Sequence, residues 1–138
     1  MWKKFYENIT KGYRDINIQP PATSKDVAFV EEALGVSLPQ ELVSLLLEMN
    51  GDNDFLMSTE KIVARNRDVR ESYDYLMPLD CLLFFAHNGC GDFYGYSIQS
   101  NGEITSKDIF MWRHETDDRI NCASSLKELI ERYYADEI

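Results

Sequence analysis

Few residues in this chain could move protons, attack a carbonyl or hold a metal. They are His87, His114, Cys81, Cys90, Cys122 and the carboxylates Glu115, Asp117 and Asp118. Metal sites need ligands at set intervals, and no HExxH, HxH or EF-hand spacing joins these residues. A nucleophile needs a nearby base and an orienting group. No nucleophile elbow surrounds any serine or cysteine, and no thiol has a cationic sequence neighbour to lower its pKa. Gly89-Cys90-Gly91-Asp92 has the glycines of a phosphate cradle but not the following helix and lysine of a P-loop. It reads as a tight turn needing positive φ, with Asp92 bonding nearby amides. A small-ligand or nucleotide site at this turn stays open as an alternative. His114-Glu115-Thr116-Asp117-Asp118 reads as a solvated loop, or as part of an acidic face that meets a partner. No catalytic residue, cofactor or metal is expected.

The elements that position these residues follow from periodicity. Trp2, Phe5, Tyr6 and Ile9 recur at helical spacing, with Lys3, Lys4, Lys11 and Arg14 against Glu7 around them. Thr23 and Asp26 form a capping signal for a helix carrying Val27, Val30 and Leu34, which Gly35 ends. Pro39 suits the first position of a helix carrying Leu42, Leu45, Leu46 and Met49, and Asn50-Gly51 closes it. Asp54 to Met57 is expected as a short strand. Ser58 caps a further helix bearing Ile62, Val69 and Tyr73, with Lys61, Arg65, Arg67 and Arg70 on its surface.

The pattern then changes to strands. Cys81 to His87 suits a buried strand, and Asp92 to Ile98 returns antiparallel to it. Ser100-Asn101-Gly102-Glu103 is a hairpin turn, after which Ile104-Thr105 and Ile109 to Arg113 supply a third strand interrupted near Lys107. Trp112 on that strand is expected in the core. Ser124 or Ser125 caps a last helix with Leu126, Leu129, Ile130 and Tyr133 inward. This order predicts an α+β fold: a mostly antiparallel meander flanked by N-terminal helices and a C-terminal helix.

Composition limits the partners. The chain has 138 residues, the length of one domain over 1–138. Its formal charge is −10, with 14 Lys plus Arg against 24 Asp plus Glu. Such a surface is a poor match for nucleic acid or an anionic membrane, and a better one for a basic protein. The longest apolar run, Cys81 to Ala86, is far short of the roughly 20 residues that span a bilayer. With no signal-peptide pattern and an odd number of widely spaced cysteines, the expectation is a cytoplasmic protein with three free thiols.

Three pieces of the chain resemble the SUKH superfamily, in its branch related to the yeast cell-wall glucan-synthesis regulator. One is Leu34-Gly35-Val36-Ser37-Leu38-Pro39 with the leucine-rich helix and Asn50-Gly51 after it. The second is Phe84 to Tyr94, containing His87-Asn88-Gly89-Cys90-Gly91-Asp92; the third is Ile109 to Glu115, with Ser124-Ser125-Leu126 downstream. The resemblance is strongest over 23–134. Gly35, Leu38, Pro39, Gly51, Gly89, Gly91, Asp92 and Trp112 carry its motif; Cys90 stands where the family has a third glycine, and Leu126 where it has phenylalanine.

The resemblance implies a bacterial immunity protein that binds and blocks a cognate secreted toxin, such as a nuclease. It also implies an alternative, a regulatory or scaffold domain binding another protein. For a toxin with a cationic surface, the candidate contact residues are Asp52, Asp54, Asp92, Glu115, Asp117 and Asp118. Reversing Asp117 and Asp118 to lysine is then expected to slow association more than it changes stability. Monomer and homodimer both remain open.

Overall fold

The computed structural model describes residues 1–72 and 77–138. The chain runs α1 (Trp2–Ile9), α2 (Ser24–Leu34), α3 (Gln40–Glu48), α4 (Thr59–Ser72), β1 (Leu82–His87), β2 (Phe93–Ser97), β3 (Ile109–Trp112), β4 (Arg119–Ala123) and α5 (Leu126–Tyr134). The strands form one antiparallel sheet in the order β1-β2-β3-β4. This is the α+β meander that the periodicity predicts. The position of Tyr73, expected on α4, lies outside the described residues.

Local chemistry places the helix ends. Thr23 and Asp26 form a reciprocal capping box at α2, and Gly35 ends that helix in the left-handed region at φ 64°. Ser125 Oγ caps α5 by accepting from the Glu128 amide at 3.2 Å. The start of α1 is capped from another helix, since Glu48 of α3 accepts the Lys3 amide at 3.1 Å. Pro39 is the cap residue of α3 rather than its first turn: at ψ 144° it is still extended.

Strand register assigns the two sheet faces. Tyr94 sits opposite Ala86 and Met111, and Tyr96 opposite Leu83 and Ile109, so these side chains share one face. All are buried, and Phe55 and Tyr133 close over Tyr94 at ring distances of 5.8 and 6.1 Å. On the other face Phe84, Phe93 and Trp112 meet at 5.4 to 6.3 Å. Trp112 and Phe84 are fully buried there, while Phe93 is half-buried. Trp112 is thus a core residue, as its size suggests.

The two sheet edges differ. The side chain of Asn66, buried on α4, acts on β1 like a missing neighbour strand. Its Nδ2 donates to the Phe84 carbonyl at 2.8 Å, and its Oδ1 accepts the Phe84 amide at 2.9 Å. Further along β1, Phe85 and His87 bond to the backbone of Met57 and Phe55. Residues 54–57 are nevertheless not a strand: only Leu56 bridges Ala86. The expected strand fails because the Asp52 carboxylate takes the amides of Asp54 and Leu56, at 2.9 and 3.0 Å, into a side-chain turn. Two other expectations change. Ile104-Thr105 joins no strand; instead Glu103 bridges Ser37. The segment after the 113–118 loop does form a strand, β4.

The three cysteines are free, with Cys81 and Cys90 exposed and Cys122 buried. Burial pushes the Cys122 thiol up to about 11.

Candidate functional site

In an antiparallel meander alternate turns leave the same end of the sheet. The β1–β2 turn (88–92) and the β3–β4 turn (113–118) therefore lie side by side, at the end marked by His87 and Trp112. Phe55 reaches that same end, because its carbonyl accepts the His87 amide at 3.0 Å. Most of the candidate carboxylates are on these three segments.

Asn88 organises the first turn. Its Oδ1 accepts the amides of Cys90 at 2.9 Å and Asp92 at 3.3 Å, so the cap expected of Asp92 belongs to Asn88. Asp92 instead ties the two turns together. One oxygen accepts the backbone amide of His114 at 3.1 Å and faces its ring Nδ1 at 2.8 Å; the other accepts from Asn88 Nδ2 at 3.1 Å. Partial burial raises the Asp92 carboxyl, but the bonds from His114 and Asn88 outweigh it and hold it below the usual carboxylate range. Gly91, at φ 98°, lets the His114 ring lie against the backbone: a Cβ there would sit 2.7 Å from the ring.

Asp117 and Asp52 are structural. The Asp117 carboxylate accepts the Trp112 indole N–H at 2.7 Å and the Arg119 guanidinium at 3.3 Å. Desolvation raises its pKa, and the indole and Arg119 more than offset this, leaving it low. Its φ of 61° is set by the loop. Asp52 is 0% exposed and so leaves the set of surface candidates. Besides two backbone amides it receives the Tyr6 hydroxyl, and Tyr6 in turn bonds Tyr134 Oη at 2.6 Å. Burial, then the Asp52 charge, pushes the Tyr6 hydroxyl far above its ordinary value. Gly51 and Gly89 are both at positive φ, and Gly51 packs against the backbone of Leu56 to Ser58.

Asp54, Glu115 and Asp118 are exposed, and Asp92 is partly so. Asp54 and Asn88 border an open groove of about 420 Å³ whose other walls include Tyr13, Arg14, Asp15, Tyr133 and Asp136. Asp92, His114 and Glu115 border an adjoining hollow of about 170 Å³. The end of the sheet thus presents Asp54, Asp92, Glu115, Asp118, Asp15 and Asp136, with tyrosine rings among them and the exposed cations Arg14 and Arg113 beside them. Asp15, Tyr13 and Asp136 were not singled out by sequence reading. They precede or follow the regular elements, and only tertiary contact, such as the 2.8 Å bond from Tyr13 Oη to the Tyr134 carbonyl, brings them here.

His114 and Asp92 form an oriented pair, and Cys90 borders the same hollow, but no bond links the thiol to the imidazole. Among the described residues no group of three or more His, Cys, Asp or Glu could hold a metal ion. His87 donates nothing to this pair; its Nδ1 accepts the Gly89 amide at 3.1 Å, and burial holds its pKa low.

Four glycines in positive φ, the Asn88 turn, the Asp92–His114 tie and the buried Trp112 lie along the chain in the order of the SUKH motif. A family model for the SMI1 / KNR4 family (SUKH-1) matches residues 21–132. The chain belongs to that family. Helix α1 lies outside the matched span, although Trp2 and Tyr6 are part of the SUKH-1 core here. Comparison with curated proteins gives no match. No helix among the described residues is long and apolar enough to cross a membrane.

Proposed function

We propose that this SUKH-1 protein is an immunity protein, which neutralises a cognate toxin by stoichiometric binding and transforms no molecule itself. The observation that carries the reading is the clustering of exposed carboxylates from separate segments at one end of the sheet. They stand on turns that Asp92, Asn88 and Asp117 hold in place. Toxins that act on nucleic acid need cationic surface for phosphate, and a rigid anionic end can occupy that surface. The rigidity matters because less side-chain and loop ordering remains to oppose binding.

The test is co-expression with the C-terminal toxin domain of a secreted protein encoded beside this chain. Restored growth together with a 1:1 complex on gel filtration supports the proposal. Unrescued growth and separate elution overturn it. Binding to an endogenous protein in the absence of any such neighbour favours the regulatory alternative and equally overturns the immunity reading.

A further inference from the structure

The basic cluster on α4 plays no part in the acidic end, and its four members differ. Lys61, Arg65 and Arg67 are exposed, and Arg65 pairs with Asp68 at 3.1 Å. Arg70, in the last turn of α4, is half-buried. Its Nη2 donates to the Leu82 carbonyl at 3.0 Å. Its Nε is buried with no hydrogen-bond partner, and the guanidinium makes no ion pair with any described residue. Buried charges in proteins are normally paired, because an unpaired one keeps most of its desolvation penalty. That penalty weakens Arg70's hold on its proton, opposed by the nearby charge of Asp80.

Arg70 borders an open cavity of about 600 Å³, at the opposite end of the sheet from the acidic turns. Its walls are the end of α2 at Gly35 and Val36, the residues Asp80 and Cys81 ahead of β1, and the turn from Ser100 to Gly102. The turn is pinned: the Ser37 amide donates to the Gly102 carbonyl at 3.0 Å, and Gly102 packs directly on the Gly35 carbonyl. The backbone amides of Ser100 and Asn101 donate to no described residue. The hollow thus combines a guanidinium that makes no ion pair with any described residue and two backbone amides that no described residue accepts.

We propose that this cavity binds an oxyanion, a phosphate or carboxylate group, with the Arg70 guanidinium as its positive charge and the Ser100–Asn101 turn as further donor. A guanidinium keeps its charge at any working pH and donates to the oxygens of either group. Asp80 is the opposing charge, so its neutralisation strengthens binding. The site stands apart from toxin neutralisation, and its test uses no toxin.

The experiment is a titration of the ¹⁵N-labelled protein with inorganic phosphate, acetate and chloride at constant ionic strength. It follows the Arg70 Nε–H and the Ser100 and Asn101 amide resonances. Saturable shifts with phosphate, acetate or both, and none with chloride, support the proposal. Saturation by phosphate alone identifies a phosphorylated ligand; saturation by acetate alone identifies a carboxylate. Arg70→Met should weaken binding about tenfold or more, and Asp80→Asn should tighten it several-fold. Because Arg70→Met also removes the bond to Leu82, Arg70→Lys and Asp80→Asn are measured beside it. Shifts that rise linearly and equally with all three salts overturn the site. So does an affinity that neither Arg70→Lys nor Asp80→Asn alters.

Discussion

Asp52 and Asp54 are two residues apart and do opposite work. Asp52 is a buried acceptor for two amides and the Tyr6 hydroxyl, so Asp52→Ala strands several buried donors. Unfolding in urea should show a loss of about 3 kcal/mol for it, and of about 1 kcal/mol for Tyr6→Phe. Asp54 is exposed, and Asp54→Ala should change stability by no more than about 0.5 kcal/mol. Equal costs at the two positions would contradict the buried network. The same residue chemistry sets the pH response. The native carboxyls of Asp92 and Asp117 hold protons less readily than the unfolded chain's. Their contribution is therefore complete above the unfolded carboxylate value of about 4 and drains as pH falls through the lower native values. Half-buried His87 also resists protonation, so its contribution is complete above the unfolded histidine value of about 6.5 and begins to drain there. The urea midpoint should thus decline from about pH 6.5 downward and steepen near pH 4. His87→Asn should flatten the first limb, and Asp117→Asn the second.

Legibility at the level of elements depended on where the determining contacts lie. Helices α2 and α5 were readable because their caps are local: Thr23 with Asp26, Ser125 with Glu128. Strand β2 was readable because aromatic residues occupy most of it. Strand β4 was not. Arg119-Ile120-Asn121-Cys122-Ala123 has no alternation of burial, and it is extended because it pairs with β3. The candidate site was half legible for a similar reason. The turns that carry Asp92, Glu115 and Asp118 are motif-bearing, whereas the burial of Asp52 and the bond from Trp112 to Asp117 arise only on folding. Two substitutions test the contacts that position elements. Asn66→Leu leaves both backbone groups of Phe84 without their side-chain partner, and should cost about 2 to 4 kcal/mol with faster hydrogen exchange at the Phe84 amide. Gly95→Ala puts a Cβ 2.5 Å from the Leu83 carbonyl, within the β1–β2 ladder. It should cost more than about 1 kcal/mol and shift the Leu83 and Phe84 amide resonances.

Charge at the scale of the whole molecule is uneven, and that unevenness gives the neutralisation proposal its kinetic signature. The net charge of −10 draws any cationic partner, but the exposed carboxylates at one sheet end orient it. Charges at the rim of an interface act mainly on the association rate, and salt screens them over about 10 Å at 0.1 M. The choice of residues for a charge-reversal test follows from burial. Asp117→Lys is a poor probe, because it removes the acceptor of the Trp112 indole and repels Arg119, and so costs stability as well as attraction. Asp54→Lys with Glu115→Lys changes two exposed positions that bear on neither. Stopped-flow mixing with the toxin domain should show association slowed at least tenfold at low salt, with the gap to the unmodified protein closing as salt is added. Dissociation and the urea midpoint should change little. An association rate indifferent to both the double reversal and the salt would move the contact surface away from this end of the sheet. The SUKH-1 fold and the neutralisation proposal would then stand, with the acidic end as a solvated feature.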